Sequence, residues 1–154
     1  MAELKADVLF APLGYSIPLN VKRGFHTSRP RRRSGRFSLA QMNHGIRQTT
    51  GAEMARRDAP PTPVQVERAM PEAHRLFPLG DPVDAQPWKG ARPCLPDMLP
   101  VIGKAPRHPG LWFDFGHQHY GPTLGPATGR LLAEMMTGET PFAATTPFAV
   151  ERFG

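Results

Sequence analysis

Trp88-Lys89-Gly90-Ala91-Arg92-Pro93, Leu99-Pro100-Val101-Ile102-Gly103 and Gly116-His117-Gln118-His119-Tyr120-Gly121-Pro122-Thr123-Leu124-Gly125-Pro126 decide how this chain is read. The first segment reads as a strand carrying one arginine. The second continues the strand-and-turn pattern, and the third is a glycine-bordered turn feeding a helix. A helix start presents backbone N–H groups without partners and a partial positive charge. Arginine presents a planar fork that matches a carboxylate. The pairing suits the holding of a small anion.

Working outward, Leu111-Trp112-Phe113-Asp114-Phe115 is the clearest strand. The last helix is expected to start between Thr123 and Ala127 and to reach Met136. Leu124, Thr128, Leu131 and Met135 would lie along one face, and Gly138 would stop it. Upstream, Val21–His26 reads as a strand. Phe37–Met42 and Ile46–Thr50 flank Asn43-His44-Gly45, which predicts a hairpin with a three-residue loop and glycine at a positive φ. Asp58-Ala59-Pro60-Pro61 breaks the pattern. Thr62, Pro63 and Gln65 then form a helix start: a cap, a first-turn proline and a capping-box partner. Val66, Ala69, Met70, Ala73 and Phe77 recur at helical spacing, Pro71 should kink or split the helix, and Pro78 and Gly80 end it. Residues 1–20 show apolar patches at Val8–Leu13 and Tyr15–Leu19 without strong periodicity. The expected fold is α+β: a mostly antiparallel sheet, one helix near 62–77 and a C-terminal helix.

With 154 residues, of which 40% are hydrophobic and 21% charged, the composition is that of one globular domain. Its 19 prolines and 15 glycines favour short strands and corners over long helices. The net charge of +6 could mark a polyanion partner, but much of the excess sits in Arg29-Pro30-Arg31-Arg32-Arg33, with Arg36 behind it. No aromatic residue is interleaved there, so a solvated loop is the leading account and nucleic acid is not an expected partner. The lone Cys94 cannot form an internal disulfide, which predicts a reducing compartment. No run has the apolar length of a membrane span, and the acidic N-terminus (Glu3, Asp7) reads as neither signal nor transit peptide.

These segments, taken in order, resemble the C-terminal part of the D-amino-acid dehydrogenases and oxidases, members of the broad FAD-dependent amine oxidoreductase family. The elements carrying the resemblance are Gly14-Tyr-Ser-Ile-Pro-Leu19, Arg23-Gly-Phe-His26, Trp88-x-Gly-x-Arg-Pro93, Pro96-Asp97-x-Leu-Pro-Val-Ile-Gly103, Gly116-His117, Gly121-x-Thr-Leu-Gly-Pro126, Thr128-Gly129 and Arg152-Phe153. Such enzymes open with a Gly-x-Gly-x-x-Gly turn that grips the FAD pyrophosphate, and this chain contains no such motif. The resemblance implies FAD as cofactor, a D-amino acid as substrate, and an FAD-binding half supplied elsewhere, including by a separate chain. It further implies a substrate-binding sheet region over 1–115, a flavin-contacting turn and helix over 116–154, and a cytoplasmic location, free or peripheral to the inner membrane.

By the same resemblance, Arg92 clamps the substrate carboxylate. Gly121, Thr123 and Leu124 meet the flavin ring through their backbones, with Gly116 and His117 in the same turn. Pro122 offers no N–H. His119 and His26 are weaker candidates for the substrate side, and Phe25 stands where the family carries tyrosine. Two histidines at i and i+2 without Cys, Asp or Glu company are not a metal set, so no metal is expected. Two alternatives stay open at this point: a basic binding module without enzymatic activity, and an inactive truncated fragment.

Overall fold

The computed structural model describes residues 6–29, 37–43, 45–76 and 78–154, without the side chains of 27–29. The chain forms two compact units, residues 21–91 and residues 1–20 with 92–154. This division is one of packing. The expected division at 115/116 is a different one, of segments that would meet substrate and segments that would meet flavin.

In the unit of residues 21–91, β1 (Asn20–Arg29), β2 (Ser38–Met42) and β3 (Gly45–Met54) join β4 (Trp88–Cys94) in a sheet of order β2-β3-β1-β4. The β1/β3 and β2/β3 pairs are antiparallel. The hairpin forms where expected, but Met42 pairs with Gly45, so its loop is one residue shorter than the predicted three. Gly45 has the anticipated positive φ of 122°. The arginine run leaves the description after Arg29, so its reading as a loop, like the placing of Phe77, lies outside the described residues.

Strand alternation decides what each sheet face does. Ile46 and Leu39 turn towards α2 (Val64–Leu76) and pack with Phe37, Ala73 and Leu79. The buried Arg23 and Phe25 share that side by their spacing along β1. His26 alternates to the opposite face.

α2 starts where the sequence indicated, though by other bonds. Thr62 Oγ1 donates to Glu53, and Gln65 Nε2 donates to Ala52 O at 3.2 Å, in place of a capping box. The first turn closes with the Val66 and Glu67 N–H groups on Pro63 O at 2.9 and 3.1 Å. Pro71 neither splits nor ends the helix, which continues to Leu76. Burial of Val66 and Ala73 against the sheet holds the segment together despite the missing N–H.

In the other unit, α1 (Ala6–Phe10) and a 3₁₀ turn (Ala11–Leu13) end at Gly14, whose φ is 80°. β5 (Val101–Lys104) and β6 (Trp112–Phe115) pair antiparallel. Phe10, Tyr15, Leu95, Val101, Phe113, Phe115 and Val150 form the core. α3 (Gly121–Thr137) ends at the predicted Gly138, whose N–H bonds Glu134 O. It starts earlier than predicted. Its buried residues are Thr128, Leu131 and Glu134, with Leu124 left exposed. Glu134 is tolerated inside because its carboxylate accepts Phe142 N–H at 2.8 Å and Arg130 Nε–H at 2.7 Å. Among the described residues no helix is long and apolar enough to cross a membrane.

Candidate functional site

β4 places Trp88 and Gly90 on one strand face by simple alternation. Gly90 is needed there for a steric reason. A Cβ at that position would lie 2.3 Å from Cη2 and Cζ3 of Trp88, so the indole occupies the space a side chain would fill. The same indole stacks on His26 of neighbouring β1, with ring centroids 4.5 Å apart and planes 27° from parallel. Trp88 nevertheless stays 56% exposed, so much of the ring is open. Burial holds the His26 imidazole below its ordinary pKa and the Arg47 charge adds to this, while Asp84 acts weakly the other way. His26 is therefore a neutral stacking partner at neutral pH.

Arg92 is exposed and, among the described residues, has neither an ion pair nor a hydrogen bond. Arg23, three residues before His26, is its opposite. It is 1% exposed and donates to Ala59 O at 2.5 Å, to Pro60 O at 3.1 Å and to Glu53. Its work is to fasten the loop before α2 to the sheet.

The turn before α3 is built on unusual backbone. Gly116 has φ 87° and Gln118, a non-glycine residue, has φ 55°. Gln118 is 5% exposed, and its Oε1 has no partner among the described residues. His117, 6% exposed, places Nε2 3.0 Å from Thr128 Oγ1 and 3.2 Å from Asp114 Oδ1. It thereby ties the turn to the first half of α3 and to β6, while His119 and Tyr120 remain exposed. Thr123 N–H and Leu124 N–H both donate to Tyr120 O, at 3.0 and 2.7 Å. Of the three backbone donors expected from the sequence, Gly121 N–H alone is left without a partner among the described residues. No cluster of three or more potential metal ligands occurs among the described residues.

A family profile described as FAD dependent oxidoreductase (DAO) matches residues 4–135. The chain belongs to that family. A D-amino acid dehydrogenase of Paramagnetospirillum magneticum is 30% identical over 161 residues, covering 96% of this chain and 38% of that protein. A D-amino-acid oxidase of Bradyrhizobium diazoefficiens is 32% identical over 166 residues, covering 99% of this chain and 39% of that protein. Among solved structures, L-proline dehydrogenase from P. horikoshii superposes with a TM-score of 0.78 at 20% identity, covering 99% of this chain and 46% of that one. Glycine oxidase from Geobacillus kaustophilus gives 0.73 at 22% identity, covering 94% and 42%. At those identities the structural likeness concerns the fold, which agrees with the expected mixed, mainly antiparallel architecture.

This member of the DAO family thus spans about two fifths of the length of its curated relatives. FAD is the family's cofactor. In the family's terms, the closing Arg152-Phe153 also gains a physical meaning. Arg152 donates to Asp97 at 2.6 Å, to Leu99 O at 2.9 Å and to Pro100 O at 3.1 Å, pinning the segment that leads into β5. Burial raises the Asp97 pKa, but the bonds from Arg152 and Leu99 N–H outweigh it and hold this carboxyl below its ordinary value.

Proposed function

We propose that this chain is the substrate-side and flavin-facing portion of an FAD-dependent oxidoreductase that oxidatively deaminates D-amino acids. The observation carrying the proposal is Arg92, an exposed guanidinium without an internal partner on a strand of a chain that belongs to this family. An exposed guanidinium with no internal partner is available to bind a carboxylate through two N–H donors. D-configuration is supported by the names of the relatives that share 30% and 32% of their residues with the chain.

The donor set fits the edge of a flavin ring modestly. Gly121 N–H at the start of a 17-residue helix is a ready donor towards negative charge. Gly116 and His117 hold the turn in place, and Thr123 and Leu124 belong to its first helical turn. No Gly-x-Gly-x-x-Gly turn is available for the pyrophosphate, so residues 116–154 would contact the ring while other residues grip the rest.

In this scheme the sheet region within 1–115 fixes the substrate. Arg92 binds the carboxylate through two N–H donors and orients Cα. The amine arrives unprotonated. Its lone pair forms a C=N bond as the Cα–H bond breaks and its electron pair departs with the hydrogen. FAD, when bound, supplies the acceptor for that pair. Water then hydrolyses the imine to a 2-oxo acid and ammonia. His119, exposed in the turn, and the neutral His26 would tune the field around the substrate and take no part in proton transfer.

The test combines this chain with a polypeptide carrying the Gly-x-Gly-x-x-Gly half and follows D-amino-acid oxidation with a dye acceptor. Arg92→Ala should raise KM about 10- to 100-fold, the loss of a charge-assisted bidentate pair, while flavin absorbance is retained. An unchanged KM would remove Arg92 from the site. The chain alone should purify without a stoichiometric flavin spectrum, and a full yellow complement would overturn the need for a second segment.

A further inference from the structure

We infer that the cleft between β3 and α2 is a second ligand site, one that takes a small carboxylate carrying a neutral polar group beside the acid, a 2-hydroxy or 2-oxo acid. It lies wholly within the unit of residues 21–91 and stands apart from the reading of Arg92.

Three observations carry it. The first is space. A cavity of about 570 Å³ is lined by Phe37, Thr50, Gln65, Arg68, Ala69 and Glu72, within the range of about 300–1,000 Å³ that small-molecule sites occupy. Gly51 shapes one wall. A Cβ there would lie 2.3 Å from Gln65 Oε1, so the bare backbone lets Gln65 lie against the strand, where Nε2 donates to Ala52 O at 3.2 Å.

The second is unmet polarity on the sheet side. Thr50 Oγ1 is buried and has no hydrogen-bond partner among the described residues. Gln48, two residues back on the same face of β3, is 0% exposed, and neither its amide oxygen nor its amide nitrogen has one. Buried polar groups are nearly always paired, and leaving one unpaired costs about 1–3 kcal/mol. A hydroxyl or keto oxygen entering the cleft would give Thr50 its missing partner.

The third is one uncommitted charge on the helix side. Arg68 is exposed and, among the described residues, has neither an ion pair nor a hydrogen bond. Glu72, one turn further along α2, is already engaged on both oxygens: Oε1 accepts from Arg75 Nη2 at 2.7 Å and Oε2 from Arg75 Nε at 3.1 Å. The cleft therefore offers a guanidinium to a carboxylate and no uncommitted carboxylate to an ammonium, which favours an acid without an amine over an amino acid. Phe37 and Ala69 supply an apolar wall for a short carbon chain. An acid lacking the polar substituent would leave Thr50 unmet.

The experiment titrates the full, isotopically labelled chain by NMR with 2-hydroxybutyrate, butyrate and 2-aminobutyrate. 2-Hydroxybutyrate should shift the Arg68 Nε–H and Thr50 amide signals and bind about 3- to 10-fold more tightly than butyrate, the worth of one hydrogen bond. 2-Aminobutyrate should bind most weakly of the three. Arg68→Gln, at an exposed position, should keep the fold and weaken 2-hydroxybutyrate about 10- to 100-fold. Thr50→Val should bring 2-hydroxybutyrate and butyrate to equal affinity. Silence at Arg68 and Thr50, equal affinities in the unaltered chain, tighter binding of the amino acid, or an Arg68→Gln variant that binds as before would each overturn the proposal. A response confined to Arg92 Nε–H overturns it too and leaves the reading of Arg92 standing. Shifts at Arg68 and Thr50 beside a silent Arg92 uphold this site and count against the Arg92 clamp alone.

Discussion

Gly90→Ala tests the packing of the Trp88 indole over Gly90 and against His26. The added Cβ would stand 2.3 Å from two indole carbons. Carbon atoms settle at about 3.5–4.0 Å, so the ring must retreat by roughly 1.2–1.7 Å or rotate away. Either movement breaks a stack with planes 27° apart and centroids at 4.5 Å. The lost stacking costs about 0.5–1.5 kcal/mol. Alanine in a strand restores about 0.5–1 kcal/mol through the lower freedom of the unfolded chain. The two nearly cancel, so global stability should hardly change. His26 should report the loss instead. Its pKa is lowered chiefly by burial, and removing the indole should let it rise towards the ordinary value of 6.5. The sign for stability follows directly. A histidine with a depressed folded pKa adds stability above its unfolded pKa and loses it as pH falls through the folded value. Wild type should therefore weaken on acidification below about 6.5 more steeply than Gly90→Ala does. An NMR titration of the His26 ring, with denaturant melts across that range, reads both effects. A His26 chemical shift and titration identical in the two proteins would refute the placement of Trp88.

Further predictions concern the supports of the fold. Arg23→Met should cost about 2–4 kcal/mol in urea unfolding, because it leaves Glu53, Ala59 O and Pro60 O without their shared donor, and the 58–61 loop should become the first site of proteolysis. Asp97→Asn should cost about 1 kcal/mol at neutral pH, a partly exposed pair being discounted for screening. Because the folded Asp97 pKa is depressed, this contribution is present above the ordinary carboxylate pKa and vanishes as pH falls through the lower folded value. The variant's stability curve should merge with wild type there. Pro71→Ala should stabilise α2 by about 1–2 kcal/mol, since it restores an N–H donor inside the helix, and thermal circular dichroism should show a raised Tm.

The strands were legible because their cues are local: Phe37–Met42 and Ile46–Thr50 around a glycine, and Leu111–Phe115 as a short apolar run. The stop at Gly138 was legible for the same reason. The beginning of α2 was found with the wrong partners, because the sequence shows that Thr62 can cap but not that Glu53 stands across from it. Pro71 misled since the tertiary burial of Val66 and Ala73 outweighs one missing bond. Alternation places Gln48 between Ile46 and Thr50, yet a polar residue gives no hint that it is fully buried, as it is here. For the candidate site, Arg92 and the 116–124 turn were visible as motifs. The two donors lost to Tyr120 O were not, because they depend on where α3 begins. Nor was the Trp88–Gly90 pair legible as a unit, because the sequence gives the residue types but not the direction in which an indole lies.

The boundary between the two packing units falls inside β4, between Ala91 and Arg92. Trp88 and Gly90 lie on the same side of that boundary, and the pleat of one strand sets them on a common face. Inserting or deleting a single residue between Trp88 and Gly90 would take the indole off the glycine, whereas changing only the lengths of flanking loops would leave that packing intact. Variation within this lineage should therefore collect in those loops, with the two-residue spacing from Trp88 to Gly90 held fixed.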